Sequence, residues 1–133
     1  MSKFDFVTNP GEGIAKTIPC NLEECFILLG KIDKENIKLF KNTKEEELMG
    51  LFHHSFGQWL RNAWGLWNTE ETQAGSKLRK YFKELGIWHA DDMSGIIIDS
   101  WHRHLNNKPL KLEEQIKVYQ KYWKKQGQVK EIV

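Results

Sequence analysis

The sequence predicts an all-α fold: a compact, single-domain bundle of five or six short helices with an extended N-terminal arm. Apolar residues recur at intervals of three and four between residues 18 and 126, which is the spacing of amphipathic helices. Glycine, asparagine and proline interrupt this pattern at short intervals, as expected for brief loops. The chain has 133 residues, of which 40% are hydrophobic, and this length is sufficient for one domain with a buried core.

The chain divides into an N-terminal arm over residues 1–17, a helical domain over 18–126 and a C-terminal tail over 127–133. Phe4 and Phe6 predict that the arm docks on the body of the protein. No internal repeat is present, and nothing after residue 17 has the alternation of a β-strand.

Two capping boxes are predicted in the first third of the domain. Asn21 precedes an apolar periodic run, with Glu24 three positions later, and Gly30 ends that helix. A short second helix follows. Thr43 and Glu46 have the same spacing and predict a second capping box before the next helix.

The next helix is predicted over 44–64, with a kink or break near Gly57. Its apolar arc comprises Leu48, Phe52, Ser55, Phe56, Trp59 and Ala63. A polar loop over 68–75 follows. Ser76 is then predicted to cap a further helix that Gly86 ends.

The central helix lies within residues 86–105, which contain three of the five histidines and the only adjacent aspartates. Asp91 and Asp92 stand where an N-cap belongs. The apolar arc comprises Met93, Ile96, Ile97, Trp101 and Leu105, with Ile98 at its edge. The opposite face carries Gly95, Asp99, His102 and Arg103, and it is predicted to be the face left open for a site.

Three further predictions concern that helix. Gly95 in mid-helix indicates that another element packs closely against it. Asp99 and Arg103 are four residues apart and are expected to pair. His102 and His104 point roughly 200° apart, so they cannot easily bind one metal, and His104 is predicted to be buried on the core side.

The last helix is predicted over 112–126, with Leu112, Ile116, Tyr119 and Trp123 facing inward. From Arg103 onward there are eight basic and three acidic residues, and this basic end is interpreted as a solvated face. The net charge of +2 is too small to indicate a nucleic-acid or membrane partner.

Cysteine content and hydropathy predict a cytoplasmic protein. Cys20 and Cys25 are isolated and poorly placed for a disulfide, so they are expected to be reduced. The N-terminus lacks the pattern of a signal peptide, and no apolar run approaches the ~20 residues of a membrane span.

Several segments together resemble a family of small bacterial domains known only as a domain of unknown function. They are F-G-Q-W-L-R-N at 56–62, W-G-L-W at 64–67, D-D-M-S at 91–94 with Ile96 and Ile97, W-H-R at 101–103 with Leu105, and L-E-E-Q-I at 112–116. The family often has proline just before the two aspartates, where this chain has Ala90. The resemblance, which extends from about residue 18 to 123, implies a bacterial, cytosolic, helical domain. It implies no activity and no catalytic residue.

The candidate metal ligands have unsuitable spacing. They are His53, His54, His89, His102, His104, Asp91, Asp92 and Asp99. Helical metal sites favour ligands three or four residues apart, and neither adjacent His53–His54 nor His102 and His104 meets this requirement. We therefore expect no metal and no cofactor. Nucleophile motifs and phosphate-binding glycine loops are also absent from the sequence.

A polar cluster could form if the two motif-rich helices pack together. Its members would be Arg61, Asn62, Asp91, Asp92, His102 and Arg103. The cluster has two interpretations, since such groups either cap and tie helices by charge-assisted bonds or act as acid and base in a pocket. The tryptophans also have two interpretations. Trp59 and Trp101 belong to core arcs. Trp64, Trp67 and Trp88, near helix ends, either cover the core or are exposed for binding, as an interface hot spot or as rings that stack a ligand.

These observations favour a non-enzymatic module that binds another protein, for example an immunity protein that neutralises a toxin. The candidate binding residues are Arg61, Asn62, Trp64, Trp67, Asp92, Asp99, His102 and Arg103. The alternative is a hydrolase or nucleic-acid-processing enzyme that uses Asp92, His102 and Arg61. Nucleic-acid binding through the lysine-rich last helix is a weaker third hypothesis.

Overall fold

The computed structural model describes residues 10–11, 13–14, 17–67 and 76–127, in which the chain forms seven α-helices. They are α1 (Leu22–Leu29), α2 (Lys34–Lys41), α3 (Leu48–Phe52), α4 (Phe56–Ala63), α5 (Ser76–Glu84), α6 (Ala90–Leu105) and α7 (Leu112–Lys125). A 3₁₀ helix, Glu45–Glu47, leads into α3. No strand occurs within these ranges, so the predicted all-α class is confirmed. Phe4, Phe6, the loop over 68–75, the Ser76 side chain and the tail beyond Gly127 lie outside the description.

The longest helix, α6, is the centre of the fold, because it contacts each of the other six described helices. Ten of the eleven residues from 92 to 102 are therefore buried: Asp92, Met93, Ser94, Gly95, Ile96, Ile97, Ile98, Ser100, Trp101 and His102. Around α6 the aromatic rings pack closely. Phe40 stacks on Trp101 with ring centroids 4.6 Å apart and contacts Phe52 edge to face at 5.1 Å. Such pairs stabilise a core beyond the area that they bury.

The start of α1 follows the predicted cap. The Asn21 side chain accepts a hydrogen bond from the Glu24 N–H at 2.9 Å. The Glu24 carboxylate accepts in turn from the Cys20 N–H at 2.8 Å, one residue before the cap. The prediction of a second capping box was wrong, because the Thr43 hydroxyl instead donates to the Leu39 carbonyl at 2.8 Å. A threonine hydroxyl has several backbone acceptors within reach, and here it bonds the preceding helix.

The predicted helix over 44–64 is divided in two, which raises the helix number to seven. The division lies at residues 53–55, just before the predicted position at Gly57. Gly57 itself is helical and serves a different purpose. A Cβ at that position would lie 2.9 Å from Arg61 Nη1 and 3.4 Å from Ser94 Oγ, so the glycine leaves room for both polar groups between α4 and α6.

Gly86 ends the α5 segment in the left-handed conformation, with φ of +93°. Its N–H bonds the Lys83 carbonyl, and the Ile87 N–H bonds that of Phe82, each at 2.9 Å, in the pattern of a Schellman turn. The predicted N-cap role of the two aspartates was wrong. Helix α6 begins at Ala90, so Asp91 and Asp92 lie in its first turn, where carboxylates interact favourably with the helix dipole.

Helix α7 covers the face of α6 that was predicted to be open. Tyr119 packs against Gly95 so closely that a Cβ there would lie 2.6 Å from its hydroxyl oxygen. Gln115 donates to Ser100 Oγ at 3.0 Å from the same helix. The prediction of a close packing partner at Gly95 is thus confirmed, but the prediction of an open face was wrong, since Gly95 and His102 are both buried.

Both cysteines are free thiols; Cys25 is buried and Cys20 is half-buried. Burial raises the pKa of the Cys25 thiol well above its ordinary value. Within the described ranges, none of the helices combines the length and apolar character needed to traverse a bilayer.

Candidate functional site

Trp64 belongs to the core and not to an exposed surface. Its side chain is fully buried, and the indole N–H donates to the Ile14 carbonyl at 3.0 Å. Helix α4 ends at this point because Gly65 takes a left-handed conformation, with φ of +68°. The Leu66 N–H then bonds the Arg61 carbonyl at 3.0 Å. The turn thus holds Trp64 in the core and keeps Leu66, the residue after Gly65, bonded to the last turn of α4.

Trp67 is the exposed member of the same segment, with 56% of its surface accessible. The indole N–H donates to the Asn62 side-chain oxygen at 2.9 Å. The Arg61 guanidinium carbon lies 5.7 Å from the centroid of the ring, within cation–π range. Trp67 is therefore held in one orientation by two side chains while much of its ring faces solvent.

Arg61 is itself only 6% exposed and joins α4 to α6. Its Nη1 donates to Ser94 Oγ at 2.7 Å, and Ser94 Oγ donates to the Asp91 carbonyl at 3.0 Å. Arg61 Nε lies 3.4 Å from the Asp91 carboxylate, which is largely exposed. Burial, with Arg61 as a secondary cause, lowers the pKa of the nearby His53. Through Ser94 and Asp91, Arg61 joins α4 to the start of α6 by charge-assisted contacts. The same guanidinium also supports the Trp67 ring.

Asp92 contacts a second aromatic group on the other side of the α6 terminus. Its carboxylate accepts from the Trp123 indole N–H at 2.8 Å. The His89 ring stacks on Trp123 with centroids 3.8 Å apart and an angle of 18°. Burial raises the pKa of Asp92, and the Trp123 hydrogen bond opposes that shift. Asp92 therefore positions the last helix and its aromatic side chains.

One end of the molecule thus carries several accessible aromatic rings. We call this the aromatic end and define it as Trp67, Trp88, His89, Tyr122 and Trp123. Trp88, 39% exposed, precedes His89 and lies 4.7 Å from Lys83 Nζ, whereas Tyr122, 52% exposed, contacts Trp123 edge to face. Adjacent Asp91 and Asp92 link the two halves of this surface through their separate partners.

At the other end of α6, the carboxylate that Arg103 contacts is not that of Asp99, its predicted partner. Arg103 Nη2 instead lies 2.6 Å from a carboxylate oxygen of Glu45, in the 3₁₀ helix. Asp99 is mostly buried near these two groups. Burial raises its pKa to about 6, with Glu45 adding to the shift and Arg103 opposing it.

The two histidines of α6 occupy the reverse of their predicted environments. His102 is 3% exposed, and its Nε2 lies 2.7 Å from the Thr43 carbonyl. Because a carbonyl only accepts hydrogen bonds, Nε2 carries the proton. His104, predicted to be buried, is exposed and stacks on Phe26 at 4.6 Å.

The polar residues predicted to converge are divided among three sites. Arg61 contacts Asp91 as predicted and lies with Asn62 beside Trp67. Asp92 bonds Trp123, and His102 and Arg103 join the segment over 43–45. Asp92 and His102 are ten residues apart on one helix, which corresponds to about 15 Å along its axis. In the described part of the chain, no three His, Cys, Asp or Glu side chains are grouped so that they could hold a metal ion.

Sequence reasoning did not identify Glu45, Ser94 or Trp123 as the partners of these residues. Each contact joins residues at least 31 positions apart, so helical spacing carried no sign of it. Trp123 had been assigned to the inward stripe of the last helix, and an inward indole N–H needs an acceptor. That requirement was the one available signal for its bond with a carboxylate.

A family model described as a domain of unknown function (DUF6794) matches residues 18–105. The chain belongs to this family. The matched residues extend from before α1 to the end of α6 and so include Arg61, Trp67 and both aspartates, but they stop short of α7. The resemblance had also been predicted over 112–116, in α7. No curated protein and no solved structure matches the chain.

Proposed function

We propose that this chain is a protein-interaction module that binds another protein through the aromatic end. The observation that carries the proposal is Trp67: an exposed ring whose orientation is fixed by Asn62 and Arg61. An exposed tryptophan forgoes the favourable free energy of burying its ring. Holding that ring in one orientation does not stabilise the core, which the ring does not enter. A partner that covers the ring would gain both the buried area and the fixed geometry.

Energetic hot spots in protein interfaces are enriched in tryptophan, tyrosine and arginine. The aromatic end provides two exposed tryptophans and Tyr122 beside the Arg61–Asp91 pair. Large rings held rigid before binding lose little conformational entropy when the complex forms. These properties support a preformed binding surface more strongly than an active site, which requires titratable groups that converge on one pocket.

The more specific role that we propose is that of an immunity-type protein that binds and neutralises one toxin in the bacterial cytoplasm. A small domain with a preformed surface suits a single, tight partner, although this is an analogy of size and architecture. Two free thiols are compatible with a reducing compartment. The proposed partner is a protein, without a metal or cofactor.

The central experiment compares Trp67→Ala with Ile27→Ala, a control that removes an apolar side chain from α1, 65% exposed and outside the aromatic end. Tagged wild-type and variant proteins are used to isolate bound proteins from the native cell, and any protein retained by the wild type is purified for titration. We expect Trp67→Ala to weaken the affinity at least about 30-fold, the effect of a hot-spot residue, and Ile27→Ala to leave it within about twofold of the wild type. For an immunity-type role, the purified partner should arrest growth when expressed alone, and co-expression of the wild type should restore it.

Asn62→Ala provides a second, more specific test because it leaves the ring in place. It removes the acceptor of the indole hydrogen bond, so affinity should fall through lost pre-organisation while the exposed area hardly changes. Equal affinity of the wild type and Trp67→Ala for the partner would rule out the aromatic end as the binding surface.

We do not propose the alternative enzyme that uses Asp92, His102 and Arg61. Each of these side chains is engaged by a different neighbour: Trp123, Thr43 and Ser94, respectively. The helical separation of Asp92 from His102 is too long for both to contact one reacting group.

A further inference from the structure

The outer face of α7 is basic beyond its first turn, which carries Glu113 and Glu114. Lys117, Lys121, Lys124 and Lys125 are all exposed, and residues 115–127 contain no acidic side chain. At the helical period, the four lysines fall within roughly 100° of the circumference and extend over about 12 Å. We call these four residues the lysine stripe. The acidic residues of the helix, Glu113 and Glu114, are four and three positions from Lys117 and more distant from the other three lysines, so the positive charge is concentrated in the last turns.

No carboxylate of the described residues contacts the lysine stripe, in contrast to three other cations. Arg103 and Lys108 contact Glu45, at 2.6 and 3.9 Å, and Arg61 contacts Asp91. None of the four lysines has an ion pair with another residue of the described ranges. An unbalanced positive face attracts anionic surfaces over a distance of about 10 Å at moderate ionic strength.

Two exposed apolar side chains border the stripe. Val118 is 65% exposed and Tyr122 is 52% exposed, and they lie next to the lysines on the helix circumference. The combination of a basic row and an apolar border matches a partner surface that has acidic and apolar residues side by side, such as an acidic amphipathic helix.

The stripe is also continuous with the aromatic end. Tyr122 belongs to the aromatic end and borders the stripe, and neighbouring Trp123 bonds Asp92 at the start of α6. We therefore infer that the outer face of α7 binds an acidic, amphipathic region of a protein partner, beside the part that covers Trp67. This inference rests on the proposed function and adds the charge of the partner to it. Electrostatic complementarity of this kind raises association rates and selects among partners.

The experiment uses the full chain and defined probes. The first is a labelled helical peptide of about 18 residues with glutamate on one face and leucine on the other. The second is the same peptide with glutamine in place of glutamate, and the third is a DNA duplex of about 20 base pairs. Affinities are measured by fluorescence anisotropy at about 50 and about 300 mM salt. The wild type should bind the glutamate peptide best, and added salt should weaken this binding.

The matched variants remove the same charge from two different helical regions. The first carries K117Q, K121Q, K124Q and K125Q, and the control carries K34Q, K38Q, K41Q and K44Q, also at exposed positions. The first variant should bind the glutamate peptide roughly tenfold more weakly at low salt, because four exposed charge pairs are lost. The control should stay within about twofold of the wild type, and thermal unfolding should confirm that both variants fold.

Three results would overturn the inference: equal weakening by both variants, equal binding of the glutamate and glutamine peptides, or preferential binding of the DNA. The two proposals fail separately. If retention of the cellular partner depends on Trp67 but the peptide assay shows no role for the stripe, only the inference that the partner is acidic fails. If Trp67→Ala retains the partner fully while the stripe binds the acidic peptide, only the aromatic-end proposal fails.

Discussion

At the N-terminal end of α6, Arg61 and Asp92 each support an aromatic ring that is accessible to solvent. At the C-terminal end, His102 and Arg103 instead contact the chain over 43–45, which connects α2 to α3. The first set of polar contacts orients groups on the surface, whereas the second attaches a loop to the central helix. Polar residues of the same kinds therefore orient accessible aromatic rings at one end and hold a loop in place at the other.

The largest expected effect on stability lies at the C-terminal end. His102→Ala should lower the free energy of unfolding by about 2–3 kcal/mol, because it removes a buried ring that contacts Phe40 and leaves the Thr43 carbonyl without its donor. Denaturant unfolding of the variant measures this change. His104→Ala, on an exposed ring two residues away, is the control and should change stability by about 0.5 kcal/mol or less. Equal losses would contradict the assignment of His102 to a structural tie.

Asp99 gives the C-terminal end a dependence on pH. Its pKa of about 6 in the folded protein exceeds the ordinary value, so the folded state holds this proton more tightly than the unfolded state. Ionisation of Asp99 therefore costs stability as pH rises from about 4 to about 6. Asp99→Asn should raise the free energy of unfolding by about 2 kcal/mol at pH 8 and leave it nearly unchanged below about pH 4. Unfolding curves at both pH values test this, and an equal gain at both would show that another effect dominates.

The smallest effect on stability is expected at the N-terminal end. Trp67→Ala removes a ring that is more than half exposed, so it should change the free energy of unfolding by only about 0.5 kcal/mol. The same variant is expected to have the largest effect on partner binding. A large loss of stability, measured by thermal or denaturant unfolding, would instead indicate that Trp67 is a cover for the core and would remove the contrast between the two ends.

Much of the fold could be predicted because it follows from local patterns. The apolar period located Ile96 and Ile97 in the core, and the Asn21 cap and the Gly86 stop follow from the properties of single residues. A mid-helix glycine correctly indicated close packing at Gly95. These features depend on residues a few positions apart, which a sequence displays directly.

The wrong predictions concern which parts of the chain pack around α6. A helical wheel assumes that the polar face is open. The segment that contains Thr43 covers His102 on that face, whereas His104, in the last turn of α6, is exposed. The wheel gives the angle of a side chain and does not reveal which element covers it. The choice of Glu45 over Asp99 as the partner of Arg103 likewise depends on tertiary contact across 58 positions. For the same reason, the predicted cluster could not be divided into three sites from spacing alone.

The position of α6 among all its neighbours has a consequence for how the protein comes apart. Because every other described helix rests on α6, no large piece can detach and leave the remainder with an intact core. Unfolding should therefore be cooperative, and the backbone amides near Ile97 should exchange with solvent only when the entire molecule opens. A weak point in any peripheral helix is then shared by the whole molecule, including the distant surface that orients Trp67.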